Sequence, residues 1–376
     1  MNDVPAPAPR PRGKIWQKLV ISLLPAAAIV WVMQHGALPI VPRHEDFARI
    51  ASWTIPVAVL VWSVSHFTRL ARWYFLLAPV QEVPLGTVVR VNAVGLFFIS
   101  VLPFRLGEVF RPLLIRRAPR LTFWAASGTI AGERIIDAFC VSFLLLLGLH
   151  VAAPRPDLPD HIGNLPIHVN LVPRGAVLSA LVFTTACVVM AVFYFWRAWA
   201  QRVTETVVGL VSVKLARWLS AKIAQMAEGL GFLAYRRYAL PYLLLTAVYW
   251  VLNASVFWVI AIGCGLGQIG FFGAAATMGV VGIGIILPAT PGFFGSFQFA
   301  TYAGLAMYLD PADVTRGGSV YAFLAYVVPI GMTAVVGLLG IVAKPSALLS
   351  LTEAEAAPEA PAKTWPGERE RATAER

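Results

Sequence analysis

The sequence predicts an all-α membrane protein with six full transmembrane helices plus two re-entrant hairpins arranged as an inverted repeat. Three observations carry that prediction. Of 376 residues, 58% are hydrophobic and only 13% are charged, which is far from the mix of a soluble domain. Apolar runs repeatedly reach the roughly 18 to 20 residues a helix needs to cross the hydrocarbon core. Two further apolar stretches are interrupted by Pro and Gly beside polar residues, and irregular backbone at membrane depth survives only when buried in protein or lining a cavity.

Residues 1–18 are Pro-rich and basic (Arg10, Arg12, Lys14, Lys18), which predicts a disordered cytoplasmic N-terminus. The first transmembrane repeat is placed at 19–153. Its first span, 19–40, continues through Trp31 and Met33, which favours an uncleaved helix over a signal peptide. An outer loop with Arg43, Glu45, Asp46 and Arg49 follows, and a second span, 51–68, returns to a basic inner segment with Arg69 and Arg72. If 84–104 crossed fully, Arg116, Arg117 and Arg120 would lie outside, against the positive-inside bias. A re-entrant hairpin near 84–118, turning between Pro103 and Gly107, avoids this. Pro112 supports a break there by restricting Arg111. A long helix, 121–150, leads to an external loop at 154–174.

The second repeat, 175–343, opens with a span at 175–197. An amphipathic cytoplasmic segment, 198–237, alternates apolar residues with Arg202, Lys214, Arg217, Lys222, Arg236 and Arg237, as an in-plane interfacial helix does. A span at 238–263 follows. The stretch 268–309 is too long for one crossing and is broken by Pro288, Pro291 and Gly292, so a second re-entrant hairpin is expected. An acidic loop from Asp310 to Asp313, a last span at 319–343 and a disordered cytoplasmic tail at 344–376 complete the chain. On this map seventeen Lys or Arg lie near the inner surface and five near the outer one, setting both termini inside a bacterial cytoplasmic membrane. Three crossings per half give the halves opposite orientation, and transporters so built place substrate near the midplane.

The net charge of +11 is absorbed by this topology rather than by nucleic acid. Cys140, Cys187 and Cys264 lack paired spacing, so neither disulfides nor a metal site is expected, and His161 and His168 read as solvated loop residues. Gly265, Gly267 and Gly270 match a dinucleotide fingerprint but lack the βαβ unit it needs, and no Walker A motif occurs. No cofactor is expected, and a transporter is expected rather than an enzyme.

The candidate substrate-binding residues fall in three stretches. Arg105, Glu108 and Arg111 follow i, i+3 spacing, so that in a helix Glu108 sits between two arginines. Such charges are expensive at membrane depth and need partners or water. Glu133, Arg134 and Asp137 lie in the long helix, where Glu133 and Asp137 share a face and Arg134 can reach Asp137. Arg90 and Asn92 extend this polar patch. Pro291, Gly292, Gly295 and Gln298 form the turn of the second hairpin, whose following helix N-terminus can face an anion. Arginine forks recognise phosphate bidentately, and a lipid headgroup is the anion most available at this depth.

In these stretches the chain resembles the lysylphosphatidylglycerol synthase transmembrane-region family of flippase-like integral membrane proteins, over about residues 15–345. An Arg-x-Gly-Glu-x-x-Arg element is matched at Arg105, Gly107, Glu108 and Arg111. A Glu-Arg-x-x-Asp element is matched at Glu133, Arg134 and Asp137, and a Pro-Gly-rich turn at Pro291, Gly292 and Gly295. The resemblance implies the membrane half of lipid aminoacylation and flipping proteins, or stand-alone members that move phospholipids, polyprenyl-linked lipids or hopanoids between leaflets. The chain departs from the family at Phe293 and Gln298, where many members carry Gly and Glu, and this puts proton coupling through that turn in doubt.

The expected function is therefore a lipid transporter or flippase. Its partners would be an anionic-headgroup lipid, the bilayer, and either further copies of the chain or a lipid-biosynthesis enzyme. The alternative is a non-catalytic membrane partner of a lipid-modifying enzyme, docking through 198–237. An intramembrane transferase using Glu133 or Asp137 as base would need a donor site that no motif supplies.

Overall fold

The computed structural model describes residues 27–343 other than 29, 32, 36–37, 49, 117–120, 163, 167, 211 and 286–290. The expected N-terminal segment 1–18, more than half of the first span 19–40, the turn residues Pro288 to Thr290 and the tail lie outside the described residues. The elements are α1 (His44–Phe47), α2 (Thr54–Leu77), α3 (Leu85–Val101), a 3-10 segment Pro103–Val109, α4 (Phe110–Ile115), α5 (Phe123–Val151), a two-residue hairpin β1 (His161–Ile162) and β2 (Leu165–Pro166), α6 (Leu171–Phe195), α7 (Arg197–Gly209), α8 (Val213–Gly229), a 3-10 turn Gly231–Ala234, α9 (Arg236–Gly263), α10 (Gly270–Gly284), a 3-10 turn Pro291–Phe293, α11 (Ser296–Leu305) and α12 (Pro311–Val342). The two strands are antiparallel, pairing His161 with Pro166 and Ile162 with Leu165.

Among the described residues six helices are long and apolar enough to cross a membrane: α2, α5, α6, α9, Gly267–Gly284 and α12. Local chemistry sets several boundaries. The Thr122 hydroxyl accepts the Ala125 N–H at 3.1 Å and starts α5, and the Ser212 hydroxyl accepts the Leu215 N–H and starts α8, each satisfying a donor that has no partner within the helix. Pro311 occupies the first turn of α12, where its missing N–H is harmless.

The second span ends at Leu77, not at 68, so Arg69 and Arg72 belong to the helix rather than to an inner loop. A charge does not stop a helix, whereas Pro79 just beyond α2 does. The segment 198–237 is not one helix: Gly209 and the extended Ser212 divide it into α7 and α8. Pro112 lies inside α4, in its first turn, and the break falls earlier, between Leu102 and Val109.

Packing brings α2 against α9, α10 against α5, α12 against α3 and α8 against α5. One apolar core gathers Trp62 and Leu145 with α10, α11, α12 and the second half of α9. Another gathers Trp73, Leu76 and Leu77 with α3, the first half of α5, Phe232 and Tyr242. On α2, α5 and α9 the polar residues fall between these two cores, as a layer crossed by all three helices.

The contact of α8 with α5 requires glycine. A Cβ at Gly128 would collide with the Met226 carbonyl oxygen, and one at Gly229 with the Ala125 carbonyl oxygen, whereas Gly175 on α6 has open space. Gly128→Val should lower the melting temperature of the detergent-solubilised protein by several degrees, corresponding to roughly 1–3 kcal/mol of overpacking. Gly175→Val should stay near wild type. Equal melting of the two variants would remove the close approach as a constraint.

Candidate functional site

The polar layer is built around one carboxylate. Glu133 on α5 is 1% exposed and is reached by three guanidinium groups. Arg111 of α4 donates to its Oε2 at 2.6 Å, Arg134 to its Oε1 at 2.6 Å, and Arg72 of α2 to the same Oε1 at 3.3 Å. Arg72 also donates to Asp137 Oδ2 at 2.7 Å and to the Thr246 hydroxyl of α9 at 3.0 Å. Asp137 takes the Trp250 indole N–H at 3.2 Å and lies 3.5 Å from Arg134. Side chains from α2, α4, α5 and α9 therefore meet at one pair of carboxylates. Both Arg72 and Arg111 are fully buried.

Aromatic faces complete the packing of these cations. The Arg111 guanidinium lies 4.4 Å from the Trp73 ring centre and that of Arg72 4.7 Å from the Tyr249 ring centre, within the range where a ring quadrupole attracts a cation. Trp73 is itself fixed by donation to the Thr129 hydroxyl at 3.0 Å.

Beside this network opens a cavity of about 430 Å³. Arg69, Arg105, Glu108, Arg134 and Asp137 bring charge to its wall, Ser65, Ser100, Asn253 and Thr333 bring neutral polar groups, and Trp62, His66, Tyr249, Trp250 and Phe293 bring rings. The Nε–H groups of Arg69, Arg105 and Arg134 are buried and have no hydrogen-bond partner, although buried donors are ordinarily satisfied. Among the described residues Glu108 has no ion-pair partner within 4.0 Å.

The two helix breaks meet at this cavity. Arg105 (φ 53°) and Phe293 (φ 59°) are the non-glycine residues with positive φ among those described. Such a backbone costs about 1–2 kcal/mol for an L-residue with a large side chain. The two residues touch, with the Arg105 guanidinium 5.2 Å from the Phe293 ring centre and its Nη2 donating to the Ile285 carbonyl at 3.5 Å. Gly107 lets the first break fold back, because a Cβ there would collide with the Phe98 and Ile99 backbone.

The candidate residues divide between the cavity wall, the network behind it and other parts of the fold. Arg105, Glu108, Arg134 and Asp137 line the cavity. Arg111 and Glu133 sit behind the wall and hold it. Glu108 does not sit between two arginines, because the 3-10 path and the left-handed Arg105 rotate Arg111 away to Glu133. Asn92 donates to the carbonyls of Arg69 and Leu70 at 3.4 and 3.2 Å, tying α3 to α2, and Arg90 lies beside Gly340 of α12; neither lines the cavity. Gln298 is 1% exposed, and its Oε1 accepts the Gly295 N–H at 2.8 Å, so a side chain already caps the start of α11. Pro291 and Gly292 make the 3-10 turn that presents Phe293. Sequence reasoning missed Arg69, Arg72, Tyr249, Trp250 and Asn253. Their signal was a polar and aromatic stripe at i, i+3, i+4 spacing on α2 and α9.

The apolar helices define a multi-pass membrane protein with an arginine-lined cavity among them. The model of the lysylphosphatidylglycerol synthase TM region family matches residues 15–349, and the chain belongs to that family, a membrane domain linked to lipid handling. No curated protein and no solved structure matches the chain.

Removing one partner of a buried ion pair leaves a desolvated charge, which costs about 3–5 kcal/mol. Glu133→Leu strands three arginines and should destabilise the protein by at least that much, read as loss of the folded monodisperse species. Arg111→Leu combined with Glu133→Leu should recover part of the loss. Additive single effects would show that the pair is not coupled.

Proposed function

We propose that the protein is a lipid transporter or flippase whose headgroup site is the arginine-lined cavity. The observation that carries this reading is that Arg69, Arg105 and Arg134 come from three separate elements to line one cavity, each with an Nε–H that has no partner. Donors left open at membrane depth fit an anionic ligand that comes and goes, and in a lipid-handling family that ligand is a headgroup. The acyl or isoprenoid tail would stay in the bilayer.

On this reading α3 with α4, and α10 with α11, are re-entrant hairpins of two inverted halves, with both chain termini facing the cytoplasm of a bacterial inner membrane. The pairing of one left-handed residue from each break supports it, since discontinuous helices that meet at a substrate site are the usual device of inverted-repeat transporters. The protein acts as a transporter rather than an enzyme, with no cofactor.

A second reading makes the chain a partner of a lipid-modifying enzyme. It is favoured by one face of α7 and its flanks, where Trp196, Trp199, Val203, Val207 and Leu210 are exposed. Under that reading purified protein moves no lipid alone, and changes on this face matter more than changes in the cavity.

Arg69→Gln and Arg105→Gln should each cut lipid movement between leaflets of proteoliposomes by about tenfold, the loss of one charge-assisted contact. Melting should stay within a few degrees of wild type, because neither arginine holds a carboxylate. Undiminished movement in the double variant would sink the transporter reading. Phe293→Gly should leave stability within about 1 kcal/mol, since relief of left-handed strain offsets glycine's greater chain entropy. The same variant should lower transport, because Arg105 loses the ring that orients it. In a background without Cys140, Cys187 and Cys264, Ala118→Cys should react with an impermeant label from the cytoplasm. Labelling from the periplasm instead would exclude the first hairpin as re-entrant.

A further inference from the structure

We propose that the cavity is matched to a lipid whose headgroup carries two negative charges on a terminal phosphate, a phosphomonoester or diphosphate, in preference to a monoanionic phosphodiester. The proposal rests on the lipid-transport reading above and names the class of headgroup.

The first argument is charge. Arg69, Arg72, Arg105, Arg111 and Arg134 form the cavity wall and the network behind it, and Glu108, Glu133 and Asp137 are the carboxylates there. Five cations face three anions, so two positive charges remain at the cavity. Uncompensated charge at membrane depth is unfavourable, and a monoanion neutralises only half of the excess. A dianion neutralises it fully.

The second argument is the placement of donors. Arg69 of α2, Arg105 of the first helix break and Arg134 of α5 line the cavity, so three separate elements each bring a guanidinium group to it. A phosphomonoester presents three terminal acceptor oxygens, one for each donor. A diester presents two and leaves a buried donor unmet. Arg72 and Arg111 also keep unpartnered N–H groups, but both are held by Glu133 and Asp137 and neither lines the cavity.

The third argument is what the cavity lacks. Asp137 is already occupied by Arg72, Arg134 and the Trp250 indole. Glu108 alone stands open to an ammonium group, beside Arg105. The remaining polar groups, Ser65, Ser100, Asn253 and Thr333, are neutral and suit water or hydroxyl oxygens.

The test uses the full-length protein in nanodiscs, with Trp62 and Trp250 on the cavity wall as fluorescent reporters. Short-chain phosphatidate and phosphatidylglycerol are titrated at pH 8 and pH 5, with inorganic phosphate as competitor. Phosphatidate should bind about tenfold more tightly than phosphatidylglycerol at pH 8. The preference should fall to within about threefold at pH 5, because a phosphomonoester regains a proton near pH 6. His66→Gln should keep this pH dependence, assigning it to the ligand, and Arg105→Gln should abolish the preference at pH 8. Equal binding of the two lipids at pH 8, or a preference unchanged in both Arg69→Gln and Arg105→Gln, overturns the proposal. Inorganic phosphate competing as well as phosphatidate overturns its lipid component. Transport without headgroup preference would defeat this inference and spare the transporter reading, whereas selective binding without transport would do the reverse.

Discussion

The buried carboxylate of Glu133 is the point on which the structure depends. Three guanidinium groups from three helices converge on it, two of them with no exposure at all. In water such a cluster would contribute little, because exposed ion pairs are screened and gain at most about 1 kcal/mol. Inside the bundle each arginine is tolerable only because the carboxylate is there, and the carboxylate only because the arginines are. The short α4, which would otherwise be a loosely held six-residue helix, is anchored through Arg111. Trp73 stacked on that arginine completes the clamp. The two apolar cores lie on either side of this layer, so α2, α5 and α9 are locked in register where they leave one core and enter the other.

A locked layer frees its neighbours to stay open. Arg72 and Arg111 satisfy Glu133 and Asp137, so Arg69 and Arg105 have no carboxylate to hold and Arg134 keeps one N–H unspent. The wall is therefore cationic by construction, and its charge faces a cavity rather than lipid. Strain points to the same place. Phe293 occupies a left-handed position that favours glycine, and the compensating contact is its ring against Arg105, itself left-handed. The strain sits where the two helix breaks meet, which is where strained backbone is typically retained for function.

The charged layer was partly legible in the sequence because charge in an apolar helix is conspicuous. Arg111, Glu133, Arg134 and Asp137 could be picked out without knowing who pairs with whom. Arg72 was hidden by its position. Coming after Arg69 at the apparent end of an apolar run, it read as a topology signal, and only the continuation of α2 to Leu77 turns it inward. Glu108 was misread in its partner because i, i+3 pairing presumes an α-helix, and the segment is a 3-10 path with a left-handed residue inside it. Gln298 looked like a missing proton carrier, yet a side-chain amide that caps a helix start is a structural role that spacing alone does not reveal. The aromatic and polar residues of α9 carried no charge, and in a chain this apolar they passed for packing.

If the cavity takes a headgroup as proposed, the split between arginines held by Glu133 and those on the cavity wall bears on release. A headgroup gripped by five free guanidinium groups at low dielectric would leave slowly, since each charge-assisted contact adds roughly 1.5–3 kcal/mol. Two of the five are withdrawn from any ligand by Glu133, and a third is shared with it. Glu108 and Asp137 on the cavity wall lower the local potential further. On the proposed transporter reading the acidic residues set the depth of the site: they make the cationic wall stable enough to fold within the bilayer and weak enough to let an anion go. A transporter needs both properties at once, and a purely structural ion-pair network would need only the first.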